Sequence, residues 1–344
     1  MVYRNLFAVH ERQGNVVGSN RKASRRNAAD GVVYVSPHTL GKRIDTENSM
    51  SRTPRIIEPI DATFSEALAA IADEQKPATQ SIGAKPFLKW VGGKRSILDE
   101  LQKRLPANYQ TYHEPFIGGG ALFFAMQPSK AALSDINVHL MLAYKAVQND
   151  VDGLIAALKI HASRHSAEYF ANARVRLSSE QDATRIASLM IYLNKTCFNG
   201  LYRVNKAGGF NVPFGKYKDP TLFDEAVLRN DSAVLQGVEL EQRHFSQVEI
   251  GREDFFYLDP PYHKTYDQYN GSGFNDDEHR KLAELCREIH KSGAFFMLSN
   301  SDTPFVRELY KGFKIEQVSA SRSVSCKGDQ RGRENELVIR NYAS

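Results

Sequence analysis

From Lys85 onward, short apolar runs alternate with longer stretches of helical period. Tyr112 to Ile117 reads as a strand running into a glycine-rich turn, and Ala121 to Met126 opens a helix. A second strand spans 131–134, with a helix beginning near Val138. Residues 186–194 (IASLMIYLN) are apolar on every face, which predicts a buried helix. The run FFYL at 255–258 predicts a strand that ends abruptly at Asp259-Pro260-Pro261-Tyr262. Residues 276–291 place Leu282, Leu285, Cys286 and Ile289 on one helical face, and 294–298 and 336–341 read as further strands. Short apolar strands separated by helices predict an α/β fold with a doubly wound, mostly parallel sheet. Ligands of such sheets bind at the carboxyl ends of the strands.

Residues 1–80 have a different character. Up to Arg55 the chain carries ten Lys or Arg against four Asp or Glu, with few large apolar residues, which predicts a poorly ordered basic extension. Residues 63–75 form one short amphipathic helix in this reading: Thr63 and Glu66 make a capping box, and Phe64, Leu68 and Ile71 supply the stripe. The basic tail reads either as an aid to holding nucleic acid or as a solvated appendage. The formal charge of +5 is compatible with nucleic acid without requiring it. Cys197, Cys286 and Cys326 are odd in number and widely spaced, so neither a disulfide framework nor a zinc site is expected, and a reducing, cytoplasmic setting is. No membrane association and no metal are expected, because no apolar run reaches spanning length and no ligand cluster is present.

Three constellations carry chemistry. The first is Phe116-Ile117-Gly118-Gly119-Gly120 between a strand and a helix. Glycines there let a ligand approach the backbone, and the helix N-terminus favours negative charge. Asp135, at the end of the next strand, suits the two hydroxyls of a ribose, or alternatively caps the helix that follows. The second is Lys89-Trp90-Val91-Gly92-Gly93-Lys94, in which Trp90 offers a face to an adenine ring and Lys94 a charge to a carboxylate; a core Trp beside a turn is the plainer alternative. The third is Asp259-Pro260-Pro261-Tyr262. Two prolines fix a rigid turn that presents an acidic acceptor, backbone carbonyls outside the strand ladder and an aromatic ring. That set suits an exocyclic amine: hydrogen bonds to Asp259 and to the Pro260 carbonyl draw a delocalised nitrogen towards tetrahedral geometry, while Tyr262 stacks on the base. A duplex base must be turned out of the stack to reach such a pocket.

The blocks LKWVGGK at 88–94, EPFIGGGALFF at 114–124, LSDIN at 133–137, NKTCFNGLYRVNKAGGFNVPFGKY at 194–217, the Asp259–Tyr262 turn, LSNSDT at 298–303 and RSVSCKGDQR at 322–331 resemble the Dam-type (D12 class, α order) DNA adenine-N6 methyltransferases over about residues 85–344. The resemblance implies a class I, Rossmann-like methyltransferase sheet with an inserted helical and β-hairpin target-recognition domain. It implies a catalytic domain of residues 85–143 plus 244–344, which binds S-adenosyl-L-methionine, and a recognition domain of residues 144–243. It further implies that Trp90, Lys94, Phe116, Gly118, Gly120, Asp135, Phe245 and Asp259 meet the cofactor, and that Asp259, Pro260, Pro261 and Tyr262 act on the base. Lys89, Phe198, Asn199, Leu201, Arg203, Asn205, Pro213, Lys216 and Arg331 are the implied contacts to double-stranded DNA. Residues 203–212 would form a hairpin turning at Ala207-Gly208-Gly209, with Arg203 reading a guanine. Phe198 stands where the family usually has Tyr, and Lys216 where Arg is common. GATC is the expected target, and a bacterial or phage-encoded monomer the expected setting. The bland alternative is that Arg203, Lys206, Lys216 and Lys218 form a solvated face and Phe198, Phe210 and Phe214 a core. Other acceptors (cytosine N4, RNA adenine, a protein amide) and an inactive DNA-binding protein are the competing readings.

Overall fold

The computed structural model describes residues 83–264, 274–321 and 333–343. The basic extension with its 63–75 helix, the 322–331 block and Arg331 lie outside the described residues. Among the described residues the sheet has seven strands: β1 (Tyr112–Glu114), β2 (Ala131–Asp135), β3 (Glu239–Gln242), β4 (Phe255–Leu258), β5 (Phe295–Ser301), β6 (Lys314–Ser321) and β7 (Arg333–Arg340). Their order is β3-β2-β1-β4-β5-β7-β6. The first five strands are parallel, and β7 is antiparallel to both β5 and β6. This is the class I methyltransferase arrangement. Its chain order reverses between β1 and β4, so the carboxyl ends of those two strands flank the crevice where such folds bind ligands.

Alternation along β4 shows how the sheet is covered. Phe255 and Tyr257 point into one core and Phe256 and Leu258 into the other, as a two-residue period requires. One face is covered by α1 (Leu98–Gln102), α2 (Ala121–Met126), α3 (Val138–Asn149) and α4 (Val151–Ser163), together with parts of the later α6 and α7. After α5 (Ala167–Leu177) and α6 (Ala183–Thr196) comes an irregular stretch, then α7 (Glu225–Leu235). The opposite face is covered by α8 (Asp276–Ser292) and α9 (Pro304–Leu309). Helix α6 is apolar all round because it has two jobs: Ala187, Met190 and Ile191 join the sheet's core, and Leu189, Tyr192 and Leu193 join a separate core with Phe170, Phe210 and Val212.

Several expectations are corrected. Strand β1 stops at Glu114 rather than Ile117, because Pro115 cannot donate to the ladder. Asp135 is not the helix cap: the Asn137 side chain accepts from the Leu140 amide and caps α3. Strand β3, within 144–243, pairs with β2 as the edge of the sheet. The turn at 203–212 closes with one isolated bridge, Val204 to Phe210, rather than a continuous ladder.

Candidate active site

The glycine turn is built for close packing. Gly118 and Gly120 take positive φ values of 46° and 67°. A Cβ on Gly118 would stand 2.7 Å from the Trp90 ring, and one on Gly120 would stand 2.7 Å from the Tyr144 hydroxyl. Any side chain at either position would therefore be strained and obstructed. The Tyr144 hydroxyl donates to the Gly118 carbonyl at 3.1 Å, which ties the turn to α3. Trp90 stacks on Tyr202, centroids 5.9 Å apart, so one face of its ring is already covered by a residue of the recognition stretch.

Asp135 turns back over the same loop. Its Oδ2 accepts from the Gly118 amide at 3.3 Å and its Oδ1 from the Asn137 amide at 2.9 Å. Burial raises its carboxyl to about 6 against those two bonds. Each oxygen retains a further acceptor site. Phe116 stacks on Phe245 at 5.3 Å, and Phe274, which the sequence reading did not single out, completes the trio at 5.8 Å and 5.7 Å from the two. The three rings form an apolar corner beyond the carboxyl end of β1.

Asp259 follows β4 directly. Its Oδ1 lies 2.8 Å from Lys94 Nζ, and Lys94 is only 5% exposed. The approach is a contact of charges, off the direction of an aligned hydrogen bond. Lys94 also donates to the Gly92 carbonyl at 2.5 Å and stands 4.8 Å from the centre of the Tyr262 ring. Burial raises the Asp259 carboxyl to about 6, with Lys94 pulling it back down. The Tyr262 hydroxyl donates to Glu336 on β7 at 2.6 Å. Glu114, at the end of β1, is 2% exposed, accepts from the Tyr112 hydroxyl at 2.6 Å and is raised to about 8, mainly by burial. The structure thus brings Trp90, Lys94, Phe116, Gly118, Gly120, Asp135, Phe245 and the Asp259–Tyr262 turn to the ends of adjacent strands.

The implied DNA contacts form a second group. Lys89 is exposed, its ammonium 4.6 Å from the Tyr217 ring centre. Its backbone is gripped at both ends by fully buried Asn194: the Lys89 amide donates to Oδ1 at 2.9 Å, and Nδ2 donates to the Lys89 carbonyl at 2.8 Å. The same Nδ2 donates to the Gly200 carbonyl at 3.0 Å. Asn194 therefore fixes the Lys89 segment to the start of the 198–217 loop. No local sequence pattern marks that role. Phe198 is 48% exposed in a tight turn with Asn199, whose φ is 54°. Its fellow aromatics Phe210 and Phe214 instead pack in or against the recognition core, so the core alternative holds for them and not for Phe198.

Arg203 Nε donates to Asn211 Oδ1 at 2.7 Å and its Nη2 to the Asn211 carbonyl at 3.3 Å, across the stalk of the loop. Asn205 Oδ1 accepts from the Ala207 and Gly209 amides at 3.0 and 2.9 Å and so shapes the tip. Leu201 is half-buried, whereas Pro213 and Lys216 are exposed.

With this geometry in view, similarity to known proteins is specific. The family model for "D12 class N6 adenine-specific DNA methyltransferase" matches residues 90–324. The Type II methyltransferase M.MjaIII of Methanocaldococcus jannaschii is 43% identical, over 75% of this chain and 99% of its own length. A DNA adenine methylase of Haemophilus influenzae is 33% identical over 76% and 97%. A DNA N-6-adenine-methyltransferase of Escherichia phage P1 is 35% identical over 75% of this chain and 35% of its own length.

Proposed function

The chain belongs to the D12 class of N6 adenine-specific DNA methyltransferases, and on that premise we propose that it transfers the methyl group of S-adenosylmethionine to an adenine turned out of duplex DNA, within GATC. The observation that carries this reading is the Asp259–Tyr262 turn at the end of β4, beside the glycine turn at the end of β1. The adenine N6 lone pair is delocalised into its ring. With one amine hydrogen on Asp259 and the other on the Pro260 carbonyl, the nitrogen is held with its lone pair directed away from the ring plane. Tyr262 lies under the base. Asp259 accepts more strongly when ionised, and only the ionised carboxylate can take up the proton that N6 must shed as the methyl leaves sulfur as a neutral thioether. Lys94, paired with it in a buried setting, favours that ionised form.

The residues present fit the cofactor. Phe116 and Phe245 offer an apolar slot for its adenine, Asp135 keeps acceptor capacity for ribose hydroxyls, and Lys94 supplies a cation for its carboxylate. Bound there, S-adenosylmethionine supplies a sulfonium-activated methyl group, and no metal is needed in this scheme. Target reading falls within the stretch 144–243, with Phe198 as the wedge, Arg203 on a guanine, Leu201 as an apolar base contact and Pro213 on a thymine methyl. Residues 1–80 are read as an appendage that adds only phosphate affinity. One copy of the chain carries every named group, so a monomer suffices.

Modified-base sequencing of host DNA, after expression in a strain lacking adenine methylation, tests the reading. N6-methyladenine in GATC is expected. Methylcytosine, or no modified base from folded protein, overturns the chemistry; methyladenine in another context overturns only the sequence assignment.

A further inference from the structure

The Asp259–Tyr262 turn has one connection that neither the motif nor the cofactor scheme uses. Glu336 lies on β7, in register with Ser301 of β5, and accepts a 2.6 Å hydrogen bond from the Tyr262 hydroxyl across 74 positions of chain. Lys94 Nζ stands over the same ring, 4.8 Å from its centre, itself anchored to Asp259 and to the Gly92 carbonyl. Tyr262 is thus constrained twice: a cation faces its ring, and a carboxylate fixes its tip. Proline fixes the backbone before Tyr262 but leaves its side-chain torsions open. A stacking ring that must meet an incoming base in one orientation needs its torsions set from outside the turn.

We propose that Glu336 is a positioning residue for base stacking: its bond to the Tyr262 hydroxyl fixes the plane on which the extruded adenine rests, and so the approach of N6 to Asp259. The inference rests on the proposed adenine chemistry. Glu336 touches neither base nor cofactor in this scheme. It acts through Tyr262, and what it contributes is orientation, where a misplacement of about 1 Å can cost roughly 100-fold in rate.

Single-turnover methylation of an all-adenine GATC duplex tests it, and a second duplex with 2-aminopurine at the target position, which lacks the 6-amine and is not methylated, reports base stacking by fluorescence. Glu336→Ala and Tyr262→Phe should each slow methyl transfer by a similar factor, roughly 10- to 100-fold. The double variant should be no slower than either single one, because both remove the same bond. Glu336→Gln keeps an acceptor and should recover most of the rate. Calorimetric affinity for S-adenosylmethionine should stay at the wild-type value, while the 2-aminopurine signal rises as stacking loosens. The proposal is overturned if the two losses multiply, if Glu336→Ala turns over like wild type, or if Glu336→Gln falls as far as Glu336→Ala, which would make the charge beside Asp259 the active property. Should Glu336→Ala not fold, Glu336→Gln in the Tyr262→Phe background decides: no further loss is expected, and a further loss overturns the idea. Wild-type protein that methylates no adenine at all would instead sink the function on which the inference rests.

Discussion

The strand-end site and the recognition loop are held in different ways. At the strand ends, functional groups are buried and fixed by backbone: Asp135 by two amides, the glycine turn by Trp90 and Tyr144, Asp259 by the strand it ends. The recognition stretch between Phe198 and Tyr217 has two isolated bridges and no ladder. Its shape depends on three asparagines. Asn194 grips its base, Asn211 holds Arg203, and Asn205 stitches its tip. On the proposed function, the difference follows from the tasks. Moving a methyl group rewards groups oriented before the reaction in a poorly solvated site. Reading a groove requires exposed groups that reach outward, and side-chain clamps can shape a loop without burying it.

The sharpest way to break this comparison is at Asp259. Asp259→Ala removes the acceptor that shapes the amine, and methyl transfer should fall by about 100-fold or more, as for loss of one preorganised electrostatic partner. Tritiated methyl transfer to duplex DNA measures it, with circular dichroism to show that the fold survives. Near wild-type turnover would remove Asp259 from the chemistry. The recognition loop should respond differently. Arg203→Ala should leave the chemistry intact and relax the requirement at one base pair, worth roughly 1–3 kcal/mol of discrimination. Methylation of the three single-base variants at that position checks it; an equal loss on every sequence would show that Arg203 serves phosphate.

How legible each region was follows the same division. Strands β2, β4 and β5 are readable because each opens on an apolar run and stops at Asp, and β1 (Tyr-His-Glu) is readable chiefly from the Pro and Gly that follow it. Strand β3 was not, since as an edge strand it buries only Leu240 among Glu239, Glu241 and Gln242. Strand β6 begins Lys-Ile-Glu-Gln and gave equally little signal. The motif residues at the strand ends were legible because backbone geometry demands those residue types. Glu336 follows the last block of the resemblance, and Asn194 and Asn211 lie in the 194–217 block, but their roles, like that of Phe274, were not legible: each works through a partner distant in sequence or across a loop. Within 144–243 the buried helix at 186–194 was legible and falls inside α6, whereas the bounds of α4, α5 and α7 were not, and Phe210 and Phe198 are told apart only by burial.

Acidity offers a test confined to the strand-end site. The Asp259 carboxyl sits at about 6 rather than 3.8, chiefly through burial, with Lys94 opposing. It is therefore neutral below that pH and ionised above it, and the ionised form is the stronger acceptor and the one able to take a proton from the amine. Activity should be flat above about pH 7, and kcat/KM should fall roughly tenfold per pH unit below about 6 for one required ionisation. Asp135, also at about 6 through burial, would steepen the fall if its ionised form is needed for cofactor binding. A profile flat down to pH 4.5, measured with fold integrity monitored, would break the assignment.

The smallest expected effect sharpens the comparison inside the recognition loop itself. Lys216 is exposed and adopts a left-handed backbone, with φ of 52°, just beyond Gly215, whose amide donates to the Thr196 carbonyl at 2.8 Å. That bond ties the segment to the end of α6, while the Lys216 side chain projects to solvent. A flexible ammonium in this position suits a phosphate, which carries no sequence information, rather than a base edge. Lys216→Ala should therefore weaken binding to GATC and non-GATC duplexes by the same few-fold factor, and reduce the slope of log affinity against log salt by about 1. Fluorescence anisotropy over a salt series on both duplexes measures the two quantities together. Because the backbone at 216 is left-handed, Lys216→Asn is the companion variant: it removes the charge while tolerating that conformation better than alanine does. If both variants lose affinity equally, the charge is responsible. If alanine alone does so, the loop conformation at 216 is what matters. If either variant changes the ranking of target sequences, Lys216 belongs with Arg203 among the residues that read bases.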